Sequence, residues 1–324
     1  MTPQEFRDIV YGFQTSRIIL TSLELNLFNE LEDGAKTSGE ISRALSTDEK
    51  ALDRLLNALC SLDILEKKDG KFSNTSFASK YLVKGKPDYI SNMMHASNLW
   101  RSWSSLTDIV RSGKSQGRIG DGSDSNWLEN FIEAMHYRAI RQAPADIKMI
   151  DLTNVKTVLD LGGGSAAYAM AFVKAKPEIK AVVFDLPDVI PLTEKYISDA
   201  GLSDKVKTIK GNYLHDNIGS GYDLIFLSAI VHSNSYEENK NLIRKCAEAL
   251  NKNGQIVIQD YAMNEERTVP AGGAFFALNM LVNTQAGDTY TKREIFSWLE
   301  SAGIQKISMK ETNHITAQIA GRKD

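Results

Sequence analysis

Residues 157–167 read T-V-L-D-L-G-G-G-S-A-A, a short β-rich run that leads directly into three glycines and then into a helical pattern. A strand, a glycine turn and a helix together make a site for an anionic or polar ligand. Glycines let the backbone approach the ligand closely, and the helix N-terminus offers unpaired N–H groups. The segment therefore predicts a cofactor-binding loop at one edge of a sheet.

An acidic residue follows this loop at the end of the next β-rich run. Asp185 ends the next β-rich run, where a carboxylate can accept both hydroxyls of a ribose. The spacing alone does not select the cofactor, because Gly162, Gly164 and Ala167 also satisfy the loose fingerprint of NAD-binding proteins. Asp160, two residues before the first glycine, would sit poorly beside a pyrophosphate and favours a ligand with a cationic amino acid group.

From residue 155 onward, short β-rich runs alternate with helical stretches. This alternation predicts an α/β domain with a doubly wound parallel sheet whose apolar strands are covered by helices on both faces. Two late runs, at 306–310 and 315–321, are separated by a short gap and predict an antiparallel hairpin that closes the sheet. The other predicted strands are residues 157–161, 181–186, 206–211, 223–230 and 255–261.

The first 150 residues are mostly helical in pattern. The segment 18–31 is apolar on more than one side, which indicates burial either against a partner chain or within the chain itself. Ser38 and Thr47 are predicted helix N-caps. A leucine stripe over 52–62, followed by β-rich runs around Asp69-Gly70, predicts a mostly helical, winged-helix-like domain with a hairpin wing.

Composition and charge argue against several functional classes. The chain has 324 residues, 24% charged and 42% hydrophobic, with a formal net charge of −3, so it lacks the basic footprint of a general nucleic-acid binder. Residues 37–65 carry five acidic and three basic side chains. A helix that reads DNA should be basic, so packing or dimerisation is favoured for this segment.

The sequence shows no targeting signal and no disulfide or metal pattern among its cysteines. No apolar run approaches the roughly 20 residues of a membrane span, and the N-terminus has no secretory signal. Cys60 and Cys246 lie in apolar helical patterns without metal or disulfide spacing. We expect a cytoplasmic protein that binds no metal, no nucleic acid and no membrane.

The chain resembles the S-adenosylmethionine-dependent O-methyltransferases of the plant caffeate and flavonoid type and their bacterial relatives. The resemblance covers nearly the whole chain. It implies a winged-helix-like dimerisation domain over 1–100, a helical connector contributing to the acceptor pocket over 101–150, and a Rossmann-like cofactor domain over 151–324. It also implies a homodimer through the N-terminal helices. The stretches that carry it are LELNLFNELE, LLNALCSLDILEKKDGKFSNT, DLGGGSA, FDLPDVI and NMLVNTQAGDTYTKREIFSWLESAGI.

The resemblance implies the cofactor site residue by residue. The loop 160–166 should wrap the amino acid part of S-adenosylmethionine, and Asp185 should hold its ribose. Asn212 and Tyr213 stand where the family has an Asp-Met pair against the adenine, and Ser228 stands where it has a lysine. The implied cofactor-binding residues are Asp160, Gly162, Gly163, Gly164, Asp185, Leu186, Asn212, Tyr213 and Ser228.

His232, just after the fourth predicted strand, matches the family's catalytic histidine. The resemblance implies that it takes the proton of an acceptor hydroxyl as the methyl group arrives, a task suited to an imidazole. A capping or solvent-facing histidine is the alternative. Asp260 falls where the family has the acid that orients this histidine, although an ordinary strand-end cap is again an alternative.

The chain departs from the family at several positions. Ser233 and Asn234 replace an Asp-Trp or His-Trp pair, Thr289 replaces a second acid, and Ala166 replaces the last glycine of the loop, which predicts a slightly altered turn. These departures keep open methylation of sulfur or nitrogen, and non-methylating chemistry on the same cofactor. A ligand-sensing winged-helix regulator and an NAD-dependent oxidoreductase are alternatives from other classes.

The acceptor is predicted to be a small, aromatic or otherwise apolar hydroxyl compound. His95 and His136 either line its pocket or pack in the core, and Tyr11 or Phe13 of a partner subunit could reach it. Residues 114–125 are predicted to form a loop. The implied acceptor-binding residues are Trp103, Trp127, Phe131, Met135, Asn279 and Met280.

Overall fold

The computed structural model describes residues 1–115 and 127–324 and divides into two compact units, Met1–Trp100 and Arg101–Asp324. Most of the loop predicted at 114–125 lies outside the described residues. The boundary between the units coincides with the end of the predicted dimerisation domain. The further division of the second unit at residue 150 stays a prediction.

The first unit is mostly helical, with one small three-stranded sheet in the order β1-β3-β2. Helix α6 runs past the boundary between the units. The elements are α1 (Pro3–Glu24), α2 (Leu27–Glu30), β1 (Lys36–Thr37), α3 (Ser38–Leu45), α4 (Glu49–Ser61), β2 (Leu65–Lys68), β3 (Lys71–Asn74), α5 (Ser76–Tyr81) and α6 (Met93–Trp103).

The predicted hairpin is present. Strands β2 and β3 pair antiparallel from Leu65 opposite Asn74 to Lys68 opposite Lys71. Asp69 and Gly70 connect them with φ values of 51° and 75°. Positive φ at both central residues is the geometry that a two-residue hairpin turn requires, and it is why the Asp-Gly pair predicted the hairpin.

The N-caps of α3 and α4 each lie one residue from their predicted positions. Thr37, not Ser38, caps α3 by accepting a hydrogen bond from the Glu40 N–H at 3.2 Å. Glu40 returns the bond by accepting from the Thr37 N–H at 2.7 Å. A capping box needs Glu or Gln three residues after the cap, which Thr37 has and Ser38 lacks. Asp48, not Thr47, caps α4.

The apolar segment 18–31 is covered largely within the chain. Leu23, Leu27, Phe28 and Leu31 join the buried cluster of the first unit. The apolar surface that remains exposed lies further toward the N-terminus of α1. Its members are Phe6, Ile9, Val10, Tyr11 and Phe13, which are 49–66% exposed.

The second unit alternates strands and helices as predicted. A short 3₁₀ turn, Val231–Ser233, follows the fourth strand of this unit. The elements are α7 (Leu106–Ser112), α8 (Trp127–Ile147), β4 (Thr157–Leu161), α9 (Ala167–Ala175), β5 (Lys180–Asp185), α10 (Ile190–Asp199), β6 (Val206–Lys210), β7 (Tyr222–Ser228), α11 (Tyr236–Ala249), β8 (Leu250–Asp260), β9 (Ala262–Met263), α12 (Ala271–Asn283), β10 (Tyr290–Thr291), α13 (Lys292–Ser301), β11 (Ile304–Glu311) and β12 (Ala317–Lys323).

The main sheet has seven strands in the order β11-β12-β8-β7-β4-β5-β6. Strands β4 to β8 are parallel to one another. Strand β12 pairs antiparallel with β8, and β11 pairs antiparallel with β12. The chain leaves β4 first toward β5 and β6 and later returns to the other side of β4 with β7. Ligands of open α/β sheets bind at such a reversal of strand order.

Buried clusters cover both faces of the sheet, as the doubly wound prediction requires. Leu159 and Leu161 of β4 face one cluster, which includes Trp298 of α13. Val158 of the same strand faces the other, which includes Phe172 of α9. Successive residues of a strand point to opposite faces, so the apolar runs in the sequence reflect burial on both sides. No helix among the described residues is long and apolar enough to cross a membrane.

Candidate active site

The loop after β4 leaves no room for a side chain at Gly162 or Gly163. Gly162 and Gly164 have φ values of 67° and 54°, in the left-handed region that favours glycine. A Cβ on Gly162 would overlap the Ile230 side chain, and one on Gly163 would lie 2.7 Å from the Asp160 carboxylate carbon. The backbone of the loop is therefore the surface that it offers to a ligand.

Ala166 completes the turn. Its φ is 63° and it is the residue before the first turn of α9. An alanine thus adopts the left-handed conformation that a glycine would adopt more easily. The glycine-to-alanine departure keeps a left-handed conformation at this point of the loop.

Asp160 lies beneath the loop. It is 2% exposed, and its carboxylate accepts a hydrogen bond from the Ala169 N–H at 3.0 Å, near the start of α9. Burial raises the pKa of this carboxyl group to about 7, and the nearby charge of Asp185 adds to the rise. Asp160 therefore ties β4 to the helix N-terminus, and its predicted role toward an ammonium group stays a prediction.

Asp185 reaches the same loop from the end of β5. Its Oδ2 accepts from the Gly164 N–H and its Oδ1 from the Leu186 N–H, both at 2.7 Å. Burial raises the pKa of Asp185. Leu186 is 42% exposed. A carboxylate with acceptor capacity to spare, beside backbone N–H groups, suits a ligand with a diol and a charged end.

Asn212 and Tyr213 follow β6 at the same sheet edge. The Asn212 side-chain oxygen accepts from the Leu214 N–H at 3.0 Å, so its carboxamide oxygen closes a local turn. The Tyr213 ring lies beside the glycine loop, 3.8 Å from the position of a Cβ on Gly162. Ser228, at the end of β7, is half-buried.

His232 and Asp260 form a buried pair. The imidazole Nδ1 lies 2.9 Å from Oδ1 and 3.0 Å from Oδ2 of the carboxylate, and the two residues are 9% and 4% exposed. A carboxylate can only accept, so Nδ1 donates and Nε2 is left as the basic nitrogen. The structure thus brings together the two residues that the resemblance had paired.

The segment 284–290 supports the turn that carries His232. The Asp288 N–H donates to the His232 carbonyl oxygen at 3.0 Å, and a Cβ on Gly287 would overlap that same oxygen. Thr289 is 2% exposed, and Arg267 donates to its carbonyl oxygen at 2.5 Å. Backbone contacts therefore hold the histidine where the family has a second acid.

Two aromatic residues near His232 were missed by the sequence analysis. The Phe276 ring meets the imidazole edge-on with centroids 4.7 Å apart, and Tyr261 packs on Phe276 at 4.8 Å. Phe276 lies four residues before Met280 on α12, so helical spacing from that predicted residue could have found it. Tyr261 directly follows Asp260.

The predicted acceptor residues fall into two contacting pairs and two single positions. The Trp103 indole N–H donates to Asn279 at 3.0 Å, and Trp127 stacks on Phe131 with centroids 5.3 Å apart. Met280 is 6% exposed, and Met135 is half-buried. The Trp103–Asn279 hydrogen bond and the Trp127–Phe131 stack give these side chains partners, and their acceptor role stays a prediction.

His136 contacts the glycine loop after β4. Its Nδ1 lies 2.9 Å from the Ser165 hydroxyl, and its ring stacks on Tyr196 at 4.1 Å. Burial lowers the pKa of His136, and the charge of Arg141 adds to this effect. Within residues 1–115 and 127–324, no group of three or more His, Cys, Asp or Glu side chains is arranged to hold a metal ion.

The raised pKa of Asp160 predicts a specific pH dependence of stability. Between the ordinary value of 3.8 and about 7 the folded chain binds more protons than the unfolded chain, so this group's stabilising contribution is lost as pH rises through about 7. Relative to Asp160→Asn, the unfolding free energy of the wild type should therefore fall between pH 4 and 7. Urea unfolding at a series of pH values measures this, and Asp204→Asn, at an exposed position, is the control. An identical pH slope in wild type and Asp160→Asn would contradict the expectation.

Family models match most of the chain. Residues 103–305 match the O-methyltransferase domain, and residues 8–84 match the O-methyltransferase dimerisation domain. The order of the two matches agrees with the resemblance drawn from the sequence. The fold class predicted from the sequence is confirmed.

Individual relatives agree with the family models. The chain is 28% identical over 312 residues to 3-hydroxy-5-methyl-1-naphthoate 3-O-methyltransferase of Streptomyces sahachiroi, covering 94% of this chain and 90% of the relative. Its fold is similar to PigF with S-adenosylhomocysteine, with a TM-score of 0.90, 22% identity and complete coverage of both chains. Human N-acetylserotonin methyltransferase in complex with S-adenosylmethionine gives a TM-score of 0.84 at 24% identity, covering 99% and 97% of the two chains. Because the domain model spans more than half of its length, the chain belongs to the O-methyltransferase family and is an S-adenosylmethionine-dependent methyltransferase.

Proposed function

We propose that this enzyme methylates a hydroxyl group of a small aromatic molecule, with His232 as the general base. The observation that carries the proposal is the 2.9 Å contact between His232 Nδ1 and Asp260, at the sheet edge that also holds the glycine loop. A phenol has a pKa near 10. A positioned imidazole can remove its proton during the transfer and so generate the oxygen nucleophile.

The residues present fit S-adenosylmethionine. The loop 160–166 offers backbone groups and a helix N-terminus, Asp185 offers carboxylate oxygens to the ribose, and Tyr213 offers a ring face to the adenine. When bound, S-adenosylmethionine supplies a methyl group on a positively charged sulfur. Asp160, Leu186, Asn212 and Ser228 are proposed to complete the site, as the resemblance implies.

The chain's own residues perform the proton transfer. Asp260 accepts the Nδ1–H of His232, which sets the ring orientation and stabilises the imidazolium that forms. Nε2 would accept the proton of the acceptor hydroxyl while that oxygen takes the methyl group, and the methyl–sulfur bond would break to leave neutral S-adenosylhomocysteine. Phe276 and Tyr261 place aromatic surface beside the imidazole, which excludes water from this side of the base. The proton then leaves His232 to solvent.

An aromatic acceptor is favoured by two observations. The Phe276 ring contacts the imidazole of His232, and Tyr261 packs on Phe276. The predicted acceptor residues add Trp103, Trp127 and Phe131. The Streptomyces relative is named for action on a hydroxylated naphthoate, a fused aromatic compound. Pocket walls of this kind bind flat apolar rings and leave orientation to a few polar groups.

His232→Ala should lower turnover by about 100-fold or more, the range expected for loss of a general base, while S-adenosylmethionine still binds. Asp260→Asn should lower turnover to a smaller extent, because the imidazole keeps a partner but loses its charge stabilisation. A radiolabelled methyl-transfer screen over phenols, thiols and amines identifies the acceptor and measures both variants. A fully active His232→Ala would show that another group removes the proton.

Gly163→Ala should weaken binding of S-adenosylhomocysteine by at least about tenfold. The new Cβ would lie 2.7 Å from the buried Asp160 carboxylate, so either the loop or its support must move. Calorimetric titration measures the affinity. Gly201→Ala is the control for general destabilisation, since its Cβ would meet no neighbour but would strain a backbone with a φ of +67°, a strain that Gly163→Ala does not add. Unchanged binding by Gly163→Ala would remove the loop from the cofactor site.

We further propose that the enzyme is a homodimer that pairs through α1. Supporting this, the dimerisation model covers residues 8–84, and α1 exposes Phe6, Ile9 and Val10 to 49–66%. An apolar stripe of this length on one helix is typical of a protein interface. Tyr11 and Phe13, on the same segment, would then approach the partner subunit's acceptor pocket.

Ile9→Glu should convert the dimer to a monomer, because a charge in an apolar interface must be desolvated without a partner. Light scattering after size-exclusion chromatography measures the mass directly. Val110→Glu, at a 62% exposed residue on α7, is the control and should leave the mass unchanged. A monomeric wild type would refute the dimer.

A further inference from the structure

The turn that carries His232 is anchored by side chains from outside it. The Asn239 amide donates to the Val231 carbonyl oxygen at 2.7 Å, and the Tyr290 hydroxyl donates to the Asn234 carbonyl oxygen at 2.5 Å. These bonds hold the two ends of the segment 231–234. The position of the imidazole therefore depends on more than its contact with Asp260.

Asn234 is the centre of this arrangement. Its side chain is buried, with the residue 3% exposed, and its Nδ2 donates to Asn239 Oδ1 at 3.0 Å. Since the Asn239 amide nitrogen is already used on Val231, its oxygen must accept, and this fixes the orientation of both carboxamides. Asn234 Oδ1 is then an acceptor, and the Tyr213 hydroxyl donates to it at 3.2 Å.

Tyr213 contacts the cofactor loop with another part of the same side chain. Its Cε1 lies 3.8 Å from the position of a Cβ on Gly162, and Lys245 Nζ holds its backbone by donating to its carbonyl oxygen at 2.6 Å. The ring thus borders the glycine loop while the hydroxyl reaches the turn of His232. A single rigid side chain spans the two halves of the site.

We propose that Tyr213 and Asn234 are positioning residues that couple cofactor binding to the turn of the base. In-line transfer requires the donor, the acceptor oxygen and the base to be aligned together. The inference rests on the proposed function, because it takes His232 as the base and the Tyr213 ring as part of the cofactor site. The proposal also links two departures from the family pattern. Tyr213 stands where the resemblance implies a methionine and Asn234 where it implies a tryptophan, and these two side chains are hydrogen-bonded to each other.

Hydrogen–deuterium exchange of the full-length protein, with and without saturating S-adenosylhomocysteine, tests the coupling. In the wild type, the ligand should slow exchange of peptides spanning 231–234 by about 3- to 10-fold, the range of one net hydrogen bond. Tyr213→Phe keeps the ring, so S-adenosylhomocysteine should still bind, with an affinity lower by no more than the coupling itself, about 3- to 10-fold, but this slowing should disappear. Tyr222→Phe is the matched control: it removes another buried hydroxyl donor, bonded to the Ile218 carbonyl oxygen at 2.9 Å, and should keep the slowing.

Three results would overturn the proposal. These are no slowing in the wild type, equal slowing in Tyr213→Phe, and loss of S-adenosylhomocysteine binding by Tyr213→Phe, which would mean that the hydroxyl serves the cofactor directly. Asn234→Ala removes the acceptor of the same hydrogen bond, so the ligand should no longer slow exchange of the 231–234 peptides in this variant either. This variant provides the test if Tyr213→Phe does not fold. The exchange experiment needs no methyl acceptor and leaves His232 intact. A fully active His232→Ala would therefore refute the assignment of His232 as the base without affecting the exchange result.

Discussion

The adjacency of strands β4 and β7 is the constraint on which the active site depends. Both strands are parallel, and Asp160 lies opposite Phe226 in their register. The glycine loop after β4 and the turn of His232 after β7 therefore emerge side by side. Ile230 fills the space that a side chain on Gly162 would occupy. The packing of Ile230 against Gly162 therefore brings the glycine loop and the turn that carries His232 close together.

Each side of this contact carries a buried carboxyl group, Asp160 on one side and Asp260 on the other. Asp160 lies under the loop with a pKa raised to about 7 by its surroundings, whereas Asp260 is paired with His232. A buried carboxylate is tolerated only where hydrogen bonds or a partner compensate for lost hydration. For Asp160 the Ala169 N–H of α9 supplies part of that compensation, and for Asp260 the imidazole of His232 supplies it. Where the resemblance implies a second acid, this chain has Thr289, and the segment 284–290 contacts the turn of His232 through the Asp288 N–H.

Much of the fold was predictable because its signals are local. Glycines in a tight turn, Asp-Gly at positive φ and apolar runs between helices each follow from a few neighbouring residues. The predictions failed where a choice depended on small differences between neighbours, as at Thr37 and Ser38, where the acid at Glu40 selects the cap. His136 could not be placed, because helical periodicity shows that a face is buried without showing which loop covers it. Phe276 was missed although it lies four residues before Met280 on the same helix, a spacing that places both on one face.

The sequence by itself predicted the alternation of strands and helices in the second unit, a glycine loop suited to a cofactor, and His232 and Asp260 as candidates. These follow from spacing along the chain and from a family resemblance carried by contiguous motifs. Only the tertiary structure decided that these two side chains meet, that Ser165 contacts His136, and that Asn234 accepts from Tyr213. Those contacts join residues 21 to 29 positions apart, and such distances are closed by sheet order and packing, which no local pattern records.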